Sequence, residues 1–73
     1  MSDARREARD ICITKARAHV RDASRWLDAA RASADRSPRE TMVNLMASVH
    51  ALAQATNAVS RAMIDGQADA DKT

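Results

Sequence analysis

The sequence contains no phenylalanine and no tyrosine, and only one tryptophan, one cysteine, one glycine and one proline among 73 residues. With Trp26 as the sole aromatic residue, the chain lacks the side chains that strands and sandwich cores favour. A lone Cys12 excludes an intrachain disulfide, and with it the stapled framework of small secreted folds. A single glycine leaves no glycine-rich loop to cradle a phosphate. Charge is missing locally: residues 41–60, "TMVNLMASVHALAQATNAVS", hold no Asp, Glu, Lys or Arg in a chain that is 30% charged. That stretch is long enough to span a bilayer, but Asn44, His50, Gln54, Thr56 and Asn57 make it too polar for an unassisted span, so no membrane role is expected.

What is present favours helix. Ala dominates, and Arg outnumbers Lys ten to two. The length suits one small domain. The net charge of +2 is uneven, because residues 1–36 carry nine basic and six acidic side chains while the remainder is close to neutral. The opening "MSDARREARD" puts charges where a signal peptide needs an apolar core, so a cytoplasmic setting is expected.

"DRSPRETM" is the clearest local signal. Ser37 suits an N-cap, Pro38 the first helical position, and Glu40 the reciprocal arm of a capping box. The residue before a proline avoids the α region, which stops the preceding helix close by. Gly66 in "IDGQADADKT" suits a helix terminator. The expected fold is therefore all-α and a single domain over 1–73. Its first helix covers about 3–35, its turn 36–37, its second helix about 38–65, and a polar tail 66–73. So short a connection makes the helices antiparallel neighbours in a hairpin.

The two helices differ in pattern. In the first, Cys12, Ala16, His19, Ala23, Trp26, Ala30 and Ser33 follow alternating steps of four and three, widened on one side by Ile13, Val20, Leu27 and Ala34. In the second, Met42, Leu45, Val49, Leu52, Thr56, Val59 and Met63 keep a heptad spacing that predicts a buried seam. A mixed stripe of Val43, Met46, His50, Ala53, Asn57 and Ile64 runs beside it, and a stripe of small residues, Ser48, Ala51, Ala55, Ala58 and Ala62, lies on its other flank. Only Glu40, Ala47, Gln54 and Arg61 form a line suited to full exposure. A helix apolar or small on most of its circumference is expected to be touched from several sides, and a hairpin supplies one neighbour. The expectation is a homodimeric four-helix bundle with the second helices central.

No catalytic constellation stands out, so enzyme activity and cofactors are not expected. His19 and His50 are expected about one turn apart, but no Glu-x-x-His spacing accompanies them, and interface packing is preferred over a metal site. Cys12, between two isoleucines, suits a small buried residue better than a reactive thiolate. The expected oligomer or partner interface comprises Trp26, Leu27, Met42, Leu45, Met46, Val49, His50, Leu52, Val59 and Met63. The leading functional reading is a non-enzymatic oligomer acting through protein–protein contacts, of regulatory, adaptor or inhibitor type, a class that includes small accessory and phage proteins. An alternative is RNA or DNA binding by Arg17, Arg21, Arg25 and Arg31 on the outer face of the first helix. A weaker one is an oligomer that sequesters a small ligand.

Overall fold

The computed structural model describes the backbone of residues 2–71 and the side-chain surroundings of residues 3–65. It is all-helical. Helix α1 spans Ser2–Ser33 and helix α2 spans Pro38–Asp71, packed side by side as an antiparallel hairpin. The molecule is a rod of 55 × 13 × 11 Å. Among the described residues, neither helix is long and apolar enough to cross a membrane.

The turn follows the chemistry of its residues. The Glu40 backbone N–H donates to Ser37 Oγ at 3.2 Å, the N-cap bond. The reciprocal half of the capping box does not form. The Ser37 N–H instead donates back to the Ser33 carbonyl at 2.8 Å, and the Glu40 carboxylate lies 3.9 Å from Arg36. Because Ser33 O also accepts from the Arg36 N–H at 3.0 Å, α1 closes at Ser33 rather than near residue 35.

The far end of α2 departs further from expectation. The helix continues through Gly66 to Asp71, and no described glycine has positive φ. A glycine terminates a helix only where it adopts a left-handed cap. Inside a helix it costs about 1 kcal/mol relative to alanine, which flanking Ala and Gln residues tolerate. The expected polar tail from 66 is thus helical in its backbone as far as 71, and 72–73 lie outside the described residues.

The buried seam consists of small residues. On α1 the most enclosed positions are Ala16, Ala23, Ala30 and Ser33; on α2 they are Asn44, Ser48, Ala51, Ala55 and Ala62. The heptad row expected to be buried is not the seam of the hairpin: Leu45 is 40% exposed and Met63 68%, with Met42, Val49, Leu52 and Val59 between them. The reason is complementarity of size. Alanine stripes on both helices allow close approach, whereas a row of Leu, Val and Met against Ala16, Ala23 and Ala30 would hold the helices apart.

Next to the turn the seam becomes polar. Ser33 Oγ and Thr41 Oγ1 are 2.8 Å apart, Ser33 Oγ is 3.1 Å from the Ala30 carbonyl, and Thr41 Oγ1 is 2.9 Å from the Ser37 carbonyl. Each hydroxyl has one proton, so the string runs in one of two directions. Thr41 donates to Ser33, which donates to Ala30; or Ser33 donates to Thr41, which donates to Ser37. Asn44 Nδ2 donates a long bond of 3.5 Å to Ser33 Oγ, and Ser48 Oγ donates to the Leu45 carbonyl at 2.6 Å. Among the described residues no buried side-chain polar atom lacks a partner, so this cluster ties the helices together without a desolvation penalty.

Two outcomes follow from this packing. Ala23→Leu should overpack the seam and lower stability by about 1–3 kcal/mol, while Ala18→Leu on the exposed side should leave the thermal midpoint nearly unchanged by circular dichroism. Ser37→Ala should cost about 1 kcal/mol and Ser37→Gly only a few tenths, in chemical denaturation under identical conditions.

Candidate functional site: an apolar groove with an arginine rim

Every Val, Ile, Leu, Met and Trp among residues 3–65 is exposed, from Leu45 at 40% to Met63 at 68%. The nine buried residues are alanines, serines and one asparagine. This reverses the usual partition, in which large aliphatic side chains are the ones most often enclosed. The accessible surface, 5702 Å², compares with about 4,450 Å² for a folded monomer of this mass. The hairpin therefore exposes about 1,250 Å² more than a compact monomer would, in keeping with its rod shape of 55 × 13 × 11 Å.

Many of the exposed apolar residues share one face, although Ile11, Val43, Met46 and Ile64 lie on other sides of the helices. Near the open end of the hairpin a groove of about 730 Å³ runs between the helices. Ala16 and Ala62 form its floor, Ile13, Val20, Val59 and Met63 its walls, and Arg9, Arg17 and Arg21 its rim on the α1 side. Leu27 lies seven residues beyond Val20, and Leu52 and Leu45 lie seven and fourteen before Val59, so heptad spacing carries the same face toward the turn. Most of these residues directly follow a buried or half-buried position: Ile13 follows Cys12, Val20 follows His19, Leu45 follows Asn44 and Leu52 follows Ala51, while Leu27 follows the exposed Trp26.

The opposite side of the hairpin carries residues that precede seam positions. Lys15, Asp22 and Ala29 stand there on α1, and Glu40, Ala47, Gln54 and Arg61 on α2. Ala29 and Ala47 are half-buried, so the helices close together on this polar side. One side carries the larger apolar row and the groove; the other is mostly polar, with Ile11 and Val43 exposed on it.

The interface residues expected from sequence are all exposed in the single chain: Trp26, Leu27, Met42, Leu45, Met46, Val49, His50, Leu52, Val59 and Met63. Leu27, Leu45, Leu52 and Val59 share the open face. Met46 and His50 lie farther round α2. Trp26 lies on the same stripe of α1 as Ala23 and Ala30, yet it is 42% exposed while those two are buried. A seam of methyl groups has no room for an indole.

The histidines do not come together. His19 is half-buried in the seam, whereas His50 is exposed one residue before the buried Ala51, hence about 100° away around the helix. Among the described residues no three His, Cys, Asp or Glu side chains are grouped to hold a metal ion. Cys12 is half-buried in the seam.

Arg17, Arg21, Arg25 and Arg31 are exposed. The ion pairs among the described residues are Arg9–Asp10 at 3.2 Å and Arg36–Glu40 at 3.9 Å, and neither includes these four. Arg6–Asp10 and Arg31–Asp35 have i,i+4 spacing but are not among the ion pairs of the described residues; Asp10 pairs with its immediate neighbour Arg9. Sequence reasoning missed the groove itself, because its floor is alanine and its walls come from both helices. Comparison with protein-family models, with curated proteins and with solved structures returned no match to the chain.

Proposed function

We propose that this is a non-enzymatic interaction protein that acts as a helical-hairpin oligomer, a homodimeric four-helix bundle being favoured, and that engages other proteins in a regulatory, adaptor or inhibitor role. The observation that carries this reading is the exposure of every large apolar side chain among residues 3–65. Two helices that meet through alanine gain little from burial, at ~25 cal/mol per Å² of apolar surface. The side chains able to contribute ~1.5–3 kcal/mol each all face outward. A surface of this kind is characteristic of chains completed by another polypeptide.

The test is the linkage of folding to assembly. Purified protein should retain its helicity and twice the 8.0 kDa chain mass on dilution to low micromolar concentration. Leu52→Glu, a charge in the middle of the open face, should lower both mass and helicity. A wild-type chain that is helical and monomeric by light scattering would overturn the homodimer.

A second reading is supported by the exposed Arg17, Arg21, Arg25 and Arg31, which lie outside the ion pairs of the described residues. These cations suit phosphate contacts on RNA or DNA. Affinity should then fall steeply with salt, and Arg17, Arg21 and Arg25 changed together to Ala should reduce the salt slope by roughly one unit per lost phosphate contact. Absence of any mobility shift at low salt would eliminate this reading.

A further inference from the structure

The apolar face has a direction and an electrostatic edge, and together these specify how a second copy sits on it. Two hairpins facing each other across a two-fold axis have two arrangements. If the axis runs along the rods, both turns lie at the same end and α1 of each chain stacks on α2 of the other. If the axis crosses the rods, the turns lie at opposite ends and α1 stacks on its own copy, as does α2.

The charges discriminate between them. The α1 edge of the groove carries Arg9, Arg17 and Arg21. Arg9 is neutralised by Asp10, and the described ion pairs leave out Arg17 and Arg21. Arg17 stands at the midpoint of α1, Ser2–Ser33. Stacking α1 on its own copy would place the two Arg17 side chains opposite each other near the axis, with both Arg21 side chains close by, and like charges there oppose association. The corresponding edge of α2 is Val49, Thr56 and Met63, all uncharged. An arginine edge laid over it keeps its guanidinium groups in water while its methylene stems cover apolar surface.

Bulk points the same way. The open face of α1 has one large residue per heptad, Ile13, Val20 and Leu27. That of α2 has two, with Leu45, Leu52 and Val59 joined by Met42, Val49 and Met63. Placing the sparse helix over the dense one gives both edges of the bundle equal filling. Placing like on like leaves one edge thin and the other crowded.

Resting on the homodimer reading above, we propose that the occupant of the groove is a second copy of this chain in the arrangement with both turns at one end. The partner's Leu52 and Val59 then lie against Ile13, Val20 and Leu27.

A spin label at the turn reads the arrangement directly. With Cys12→Ala to remove the native thiol, Asp35→Cys or, independently, Arg39→Cys carries the label at an exposed site. The turn-together arrangement gives a label-to-label distance of about two helix widths, ~20–25 Å. A distance near the 55 Å length of the rod would overturn this arrangement while leaving the homodimer intact. Absence of dipolar coupling together with a monomeric mass on the same sample would overturn both.

Discussion

The whole molecule depends on one steric condition: the two helices meet through side chains that are nearly all alanine or serine. Ala16, Ala23 and Ala30 on one helix meet Ser48, Ala51, Ala55 and Ala62 on the other. From that condition the rest follows. The helices are close enough for Ser33 and Thr41 to share a proton across the turn. Val20 and Val59 are close enough to wall a single groove. Every larger aliphatic side chain among residues 3–65, and Trp26 with them, is turned outward. The chain has traded a conventional core for a thin seam and a broad apolar side.

Much of this was legible in the sequence, and the failures have physical causes. Ser-Pro-x-Glu located the turn, and amphipathic spacing gave the face of α1, because a single buried stripe writes an unambiguous period. The second helix has two heptad rows, one of large residues and one of small, and hydrophobicity alone ranks the large row first. The small row won in the hairpin because the facing stripe on α1 is itself small, a pairwise condition no single-helix pattern records. Gly66 was given the weight of a stop signal, but a glycine terminates a helix only where the backbone leaves the right-handed region, and here it does not. The polar knot of Ser33, Thr41 and Asn44 was invisible because its members are scattered over both helices and the turn.

The sidedness of the hairpin also has a local origin. Positions that follow the seam carry Ile13, Val20, Leu45, Leu52 and Val59; positions that precede it are mostly charges, amides and alanines, with Ile11, Val43 and His50 as exceptions. In an antiparallel pair those two sets fall on opposite sides, so a one-residue offset in the pattern separates a wet surface from a dry one. Arg17 and Arg21 then stand at the border, where a long side chain can serve the apolar surface with its stem and the solvent with its head. Acidic residues on α2 are confined to its two ends, Glu40 at one and Asp65, Asp69 and Asp71 at the other, so the middle of the arginine border faces no acidic residue of that helix.

The outward placement of the large side chains has a consequence for how much native protein a cell would contain. A chain that gains little by closing alone has its folded fraction set by mass action, rising with the supply of whatever covers the open side. If the covering partner is a second copy, as proposed, synthesis in small amounts would leave most copies exposed to proteolysis and synthesis in larger amounts would protect them. Under that proposal an alanine seam makes dosage itself a determinant of lifetime.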